Sequence, residues 1–223
     1  SKQAEFELGN RGITLLDTPG HVDFSAEMER TLQVLDYAIL VINGADGVQG
    51  HTMTLWRLLA RYQIPTFLFI NKMDQDGTDK EKLLAELKKR LSDNCVDFTW
   101  EKSDLQSQFL EDVSVCDEEL LEKYLETEEI STSDIRKVIK ERKLFPCFFG
   151  SALKMTGVEE FLHGLEKYCE TPTYPSEFGA KVFKIARDDQ GNRLSYMKIT
   201  GGTLKVKELL TDTEKADQIR IYS

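Results

Sequence analysis

The chain has 223 residues, of which 40% are hydrophobic, and its formal net charge is −10 at pH 7. This length suits one domain plus part of another, with enough apolar residues for a sizeable core. The negative charge argues against a broad nucleic-acid-binding face, and so against DNA as a partner, because neutralising phosphates requires clustered Lys and Arg. No apolar run is long enough to span a bilayer and no signal peptide is visible, so we expect a cytoplasmic protein without a membrane partner. We also expect it to be a monomer.

The four cysteines indicate neither a metal site nor a redox motif. They form no C-x-x-C pair and show no metal-ligand spacing, so we expect reduced and mostly buried thiols in a reducing compartment. These residues are Cys95, Cys116, Cys147 and Cys169.

Strand and helix signals alternate along the chain. This alternation predicts an α/β fold, with a mostly parallel sheet flanked by helices. We expect strands near residues 12–17, 37–43, 65–70 and 145–149. We expect helices near residues 22–34, 51–62, 79–91 and 157–168.

The first polar loop follows the apolar stretch 12–16 and contains Asp17, Gly20 and His21. In a nucleotide site, Asp17 would hold Mg²⁺ through a water, since Mg²⁺ keeps much of its hydration shell. Gly20 has no side chain, so its N–H can approach a γ-phosphate oxygen closely. His21 would orient the attacking water, the role that other GTPases give to Gln.

The tetrapeptide Asn71-Lys72-Met73-Asp74 follows the continuous apolar run 65–70, which is typical of a strand buried on both faces. Ligands of open α/β sheets bind beyond the carboxyl ends of such strands. There the Asp74 carboxylate would accept hydrogen bonds from the ring N–H and exocyclic amine of guanine, a donor pair that adenine lacks. Asn71 would tie neighbouring loops together, and the stem of Lys72 would cover the base. Alone the match is weak, because polar turns commonly follow strands.

A third strand end, after residues 144–149, carries Ser151, Ala152 and Leu153. The Ala152 amide would donate to the guanine O6, and Ser151 would buttress the loop that presents Asp74. Leu153 belongs to the same base-binding motif. One loop for Mg²⁺ and the γ-phosphate and two loops for the base, in this order, predict a site for GTP and GDP.

These motifs resemble those of the translational GTPases, most closely the elongation factor G group. Residues 17–24 read like that group's switch II, and residues 181–185 and 202–204 resemble the opening of its second, β-barrel domain. The segment that contains residues 181–185 and 202–204, together with residues 69–77, looks more like the tetracycline-resistance ribosomal-protection branch. The resemblance implies a P-loop GTPase fold, GTP and Mg²⁺ as ligands, and the ribosome, both rRNA and proteins, as partner. It also implies hydrolysis of GTP to GDP and, in the resistance branch, removal of tetracycline from the ribosome.

No Gly-x-x-x-x-Gly-Lys-Ser/Thr motif occurs in the chain, so nothing in it supplies the usual cradle for the β- and γ-phosphates. In the family this phosphate loop precedes switch II. We therefore expect an N-terminally truncated GTP-binding domain at residues 1–173, inactive or nearly so on its own. An incomplete β-barrel domain is expected at residues 174–223.

The stretch 93–143 is rich in Asp and Glu and is longer than a plain GTPase core needs. We expect an acidic helical insertion that is solvated on its outer face, or else a docking surface for a basic partner such as a ribosomal protein. Residues 188–192 between two alternating runs predict a hairpin turn. Two alternatives to a resistance-type GTPase stay open: elongation factor G proper, acting in translocation, and a non-catalytic module that docks to the ribosome.

Overall fold

The structure is a computed structural model, and it describes residues 2–18, 26–99, 106–207, 209, 216, 218 and 219. The chain divides into two compact units. Residues 36–170 form one of them, called here the α/β unit, and residues 1–35 and 171–223 together form the other, called here the two-part unit. Among the residues that the structure describes, no helix is both long and apolar enough to cross a bilayer.

The two-part unit begins with an antiparallel hairpin of strands β1 (Lys2–Leu8) and β2 (Arg11–Asp17). Gly9 lies in the turn between them with φ +59°. We expected residues 12–17 in the parallel sheet, and the structure corrects this, because their hydrogen-bonded partner is β1. A two-residue connection brings these strands together with little loss of chain entropy, which favours local pairing. Helix α1 (Ala26–Leu32) follows within the same unit.

The α/β unit is built on a four-stranded parallel sheet with the strand order β3-β4-β6-β5. This arrangement confirms the predicted fold class, and the helices alternate with these strands along the chain. Strand β5 was not expected, because three residues are too few to show a periodic pattern. The four strands are β3 (Ala38–Asn43), β4 (Thr66–Asn71), β5 (Cys95–Asp97) and β6 (Phe145–Phe149).

Helices cover both faces of this sheet. Successive residues of β4 point to opposite faces, and they join two separate cores. Leu68 and Ile70 pack with residues of α2 (Gly50–Arg61) and α3 (Lys80–Arg90). Phe67 and Phe69 pack with residues of four later helices, α4 (Gln106–Ser114), α5 (Glu118–Thr127), α6 (Thr132–Lys140) and α7 (Val158–Tyr168). The continuous apolar run of β4 is therefore buried on both sides, as predicted.

The acidic stretch 93–143 supplies much of the second core. Strand β5 and helices α4, α5 and α6 lie within it, and their inner faces bury Val96, Phe109, Leu120 and Ile139. Many of its carboxylates remain exposed on the outer faces. The stretch is therefore helical with one added strand, and it closes one face of the sheet.

Helix starts in this unit are set by short polar side chains. The Asp79 side chain accepts a hydrogen bond from Lys82 N at 3.1 Å and caps α3, as the sequence indicated. Helix α6 begins with a capping box, in which Ser131 and Asp134 each accept a hydrogen bond from the other's backbone N–H. These contacts satisfy donors that the first helical turn leaves unpaired.

The two-part unit ends with a second antiparallel hairpin, formed by β7 (Gly179–Arg187) and β8 (Arg193–Gly201). Residues 188–192 form the predicted turn. Asp188 Oδ1 accepts hydrogen bonds from Gln190 N at 3.0 Å and Asn192 N at 2.9 Å, and Gly191 has φ +83°. Lys198 of β8 also donates to the carbonyl of Val34, at 2.9 Å.

Acid should weaken the α6 capping box in a defined range of pH. Burial raises the pKa of Asp134, but hydrogen bonds from Lys123 and Ser131 outweigh it and lower the pKa from 3.8 to about 2. Since the folded-state pKa is the lower one, this stabilisation is complete above about pH 4 and is lost as the pH falls toward 2. Asp134→Ala should lower the free energy of unfolding by about 1 kcal/mol at neutral pH.

Urea unfolding of wild type and variant across this pH range measures the difference, which should shrink below about pH 4. Glu126→Ala, which removes an exposed carboxylate from α5, is the matched control. Its effect should stay within about 0.5 kcal/mol. A difference for Asp134→Ala that grows as the pH falls would contradict the assignment.

Candidate functional site

Two loops meet at the carboxyl edge of the parallel sheet. Because β4 and β6 are neighbouring parallel strands, the segments that follow them leave the sheet side by side. Residues 72–79, called here the β4 loop, contain Lys72 and Asp74. Residues 150–157, called here the β6 loop, contain Ser151, Ala152 and Leu153. The structure thus brings together the two loops that the sequence assigned to the base.

Asn71 links these loops directly. Its Oδ1 accepts a hydrogen bond from Lys72 N at 2.8 Å and another from Ala152 N at 2.9 Å. Backbone bonds strengthen the junction, since Gly150 N donates to Ile70 O at 2.9 Å and Met73 N donates to Gly150 O at 3.0 Å. The predicted donation from Ala152 to a guanine O6 stays a prediction, and in this structure that N–H is engaged by Asn71.

Asp74 presents a carboxylate that is ionised at neutral pH. A hydrogen bond from the Ser151 side chain is the largest cause that lowers the Asp74 pKa below its ordinary value, and Lys154 acts in the same direction. Lys154 Nζ lies 3.4 Å from Asp74 Oδ2. The Ser151 residue is only 2% exposed, whereas a quarter of the Asp74 side chain is exposed. A partly exposed, charged acceptor on a buried support suits recognition of paired N–H donors.

The β4 loop is held in shape by its own contacts. Lys72 adopts a left-handed backbone with φ +63°, and its side chain is exposed. The Thr78 hydroxyl lies 2.9 Å from both the Met73 and the Gln75 carbonyl oxygens. This clamp joins the middle of the loop to its end, just before α3 begins. The loop that carries Asp74 is therefore internally braced.

The β6 loop depends on a close backbone approach. Ser151 and Thr156 exchange backbone hydrogen bonds of 2.9 and 3.1 Å across it. A Cβ at Gly150 would lie 2.2 Å from the Thr156 carbonyl oxygen, so only glycine fits there. Leu153 and Met155 at the tip are 91% and 68% exposed. Their side chains offer apolar surface that a flat ring can contact.

The structure describes only one of the three residues predicted for Mg²⁺ and the γ-phosphate. Asp17 is the last residue of β2, and its side chain is exposed. Gly20 and His21 lie outside the described residues, so their roles stay predictions. Within the described part of the chain, no group of three or more His, Cys, Asp or Glu residues is placed to hold a metal ion. One exposed carboxylate still fits a hydrated Mg²⁺, which takes most of its ligands from water and phosphate oxygens.

Lys154 and Thr78 support these loops, although no sequence pattern identified them. Lys154 stands two residues after Ala152, and nothing in the pattern links it to Asp74. A Thr just before an Asp helix cap is a weak signal of a loop clamp, because Thr hydroxyls often bond to nearby backbone. Both contacts depend on how the loops bend, and that bend follows from the tertiary structure.

Comparisons with known proteins point to one family. Residues 1–171 match the family model described as the elongation factor Tu GTP binding domain. Elongation factor G from Ureaplasma urealyticum serovar 10 is 31% identical over 274 residues, which covers 94% of this chain and 40% of that protein. Elongation factor G from Ureaplasma parvum serovar 3 gives the same values. The chain thus spans about 40% of the length of these relatives.

A solved structure shows the same fold. The crystal structure of ttk003000868 from Thermus thermophilus superposes with a TM-score of 0.77 at 24% sequence identity. The match covers 92% of this chain and 38% of the other one. At this identity the similarity establishes the architecture.

The link between the loops can be tested by changing the Asn71 acceptor. Asn71→Ala removes the acceptor for Lys72 N and Ala152 N, and we expect a loss of about 0.5–1.5 kcal/mol in the free energy of unfolding. The Ala152 amide should then exchange faster with solvent deuterium, because its partner is gone. Hydrogen exchange followed by NMR measures this directly.

Asn71→Asp is the matched control, because both hydrogen bonds use the side-chain oxygen and aspartate keeps one in that place. Its Ala152 amide should keep slow exchange. Equal exchange rates at Ala152 in the wild type and in Asn71→Ala would show that the bond does not hold the loops together.

Proposed function

Because this chain belongs to the family of elongation factor Tu GTP-binding domains, we propose that its β4 and β6 loops bind the base of GTP and GDP. We further propose that the protein hydrolyses GTP in contact with the ribosome. The observation that carries the proposal is the bond from Ala152 N to Asn71 Oδ1, which assembles Asp74, Ser151 and Ala152 at one edge of the sheet.

Guanine specificity follows from the state of Asp74. An ionised carboxylate accepts two hydrogen bonds and donates none, so it pairs with the ring N–H and exocyclic amine of guanine. Adenine offers no such pair on this edge, and the carboxylate would lose solvent without gaining donors. The Lys72 stem, two residues before Asp74 in the loop, would cover the ring, and the exposed Leu153 would contact it as well.

Hydrolysis would use the loop after β2. Asp17 would hold Mg²⁺ through a water, and the metal would neutralise charge on the phosphates. Gly20 N–H would bond to a γ-phosphate oxygen. His21 would orient water for in-line attack, and ribosome contact would bring His21 into place. We expect little turnover from the 223-residue chain itself, because it contains no Gly-x-x-x-x-Gly-Lys-Ser/Thr motif.

Within the family, we propose a ribosomal-protection protein that removes tetracycline from the ribosome in the cytoplasm. The support is the resemblance of residues 69–77 and of the segment after residue 180 to that branch. Translocation, as in elongation factor G proper, is the second candidate. It is favoured by the 31% identity to elongation factor G from two Ureaplasma species.

The base specificity can be measured with the chain itself. Calorimetric titration should show binding of GDP and much weaker binding of ADP. Asp74→Ala should weaken GDP binding by roughly 10- to 100-fold and leave the weak ADP binding unchanged, because only guanine has donors for this carboxylate.

Asp76→Ala, which removes an exposed carboxylate two residues away in the same loop, is the matched control and should bind GDP like the wild type. Equal affinity for GDP and ADP in the wild type would refute the base-reading role. A loss of GDP binding in both variants would indicate a general effect of charge in this loop.

The two candidate activities differ in an assay of protein synthesis. We would express the chain together with its natural flanking sequence and measure GTP hydrolysis with and without ribosomes. A stimulated rate that disappears in His21→Ala is expected. A ribosomal-protection protein should also restore translation in the presence of tetracycline, whereas a translocation factor should support translation only in its absence.

A further inference from the structure

One buried carboxylate of the α/β unit has no part in the site described above, that of Asp97 at the end of β5. This residue is 4% exposed. Its Oδ1 accepts hydrogen bonds from the backbone N–H of Thr99 at 2.9 Å and from the Thr99 hydroxyl at 2.6 Å. Its Oδ2 lies 2.5 Å from Lys80 Nζ. The Lys80 ammonium also donates to the Thr99 hydroxyl oxygen at 2.5 Å, so the three side chains form one network.

Lys80 joins this network to the roots of both candidate loops. It is the first residue of α3 and directly follows Asp79, where the β4 loop ends. Its Nζ lies 5.3 Å from the centre of the Phe149 ring, which is within cation–π range. Phe149 is the last residue of β6 and directly precedes the β6 loop. One side chain therefore contacts the ends of β5 and β6 from the start of α3.

The energetics of such a pair favour a geometric role. The Asp97 side chain is buried, whereas a third of the Lys80 side chain is exposed. Taking the carboxylate out of water offsets much of its attraction to the ammonium, so the pair adds little net stability. Removing Lys80 would destabilise the fold, because the Asp97 charge would be left buried without compensation. An ammonium held by a carboxylate, a hydroxyl and a ring has few other positions to occupy. The main effect of the pair is therefore to fix the distance between the start of α3 and the ends of β5 and β6.

We infer that the Lys80–Asp97 ion pair positions the β4 loop against the β6 loop and so determines where Asp74 presents its carboxylate. This inference rests on the proposed function, since it assigns positioning residues to the same guanine site. Lys80 and Asp97 do not touch the base. They act through Asp79 and Phe149, the residues at which the two loops are rooted.

The acidic stretch 93–143 would also help to support the base site. Asp97 and Thr99 lie near its start, so the strand that opens the stretch supports the base site from the side. A movement of β5 would be transmitted to α3 through the ion pair. Discrimination between bases would then depend on residues outside the two loops.

Three variants separate positioning from stability. Lys80→Met keeps the apolar stem over Phe149 and removes the charge, which leaves Asp97 unpaired. Lys80→Met combined with Asp97→Asn removes both charges and keeps an acceptor for Thr99. Lys137→Met is the matched control, since Lys137 forms an exposed ion pair of 2.8 Å with Glu119 elsewhere in the unit.

The readouts are thermal unfolding, hydrogen exchange at Met73 and Ala152, and NMR titration with GDP and inosine diphosphate. Inosine lacks the exocyclic amine, so the ratio of the two affinities reports where Asp74 lies. We expect Lys80→Met to bind GDP roughly fivefold to tenfold more weakly, with faster exchange at both amides. The double variant should regain stability, whereas its affinity ratio and exchange rates should stay altered. Lys137→Met should match the wild type in every readout.

A purely structural ion pair would behave differently. In that case the loss of the pair would change the unfolding temperature alone. Lys80→Met and the double variant would both keep the wild-type exchange rates and affinity ratio, which would overturn the inference. If the wild type binds GDP and inosine diphosphate equally, the proposed base recognition fails. The exchange arm still decides whether the ion pair positions the loops, because it needs no ligand.

Discussion

The parallel pairing of β4 with β6 is the constraint on which the rest of this structure depends. Parallel strands end at the same edge of a sheet, so two segments far apart in the sequence leave the core next to each other. Asn71 and Ala152 are 81 positions apart, yet a single side-chain oxygen bridges them. Without that strand pairing, Asp74 would have no buried Ser151 behind it. The chemistry at the edge therefore follows from how the core is layered.

Long apolar runs made much of this core predictable from the sequence. Residues 65–70 and 144–149 indicated buried strands, and the polar residues after them indicated loops at one edge. Asp79 could be predicted as a helix cap because a cap depends only on nearby residues in the chain. Strand β5 could not be predicted, because Cys95–Asp97 becomes a strand only by pairing with β6. The β1–β2 hairpin was missed because an apolar strand does not reveal its partner.

In the candidate site, too, the sequence predicted some residues and left other contacts unpredicted. The sequence singled out Asn71, Asp74 and Ser151 because each stands in a motif just after a strand. It gave no sign that Lys154 approaches Asp74, or that Lys80 reaches Asp97 across the end of β6. Such contacts join residues whose distance is set by helix placement and loop curvature. Sequence patterns report local geometry and burial, and they carry little about which charged side chains meet.

The bond between Asn71 and Ala152 has a consequence for the thermodynamics of binding. Ordering a flexible loop costs conformational entropy, and a protein that orders its loops only on binding loses affinity by that amount. Here the two loops are already joined to each other and braced internally by Thr78, so the cost was met when the chain folded. If a purine ring binds at this edge, as proposed, it meets two loops that are already joined. Little of the binding free energy would then be spent on ordering these loops.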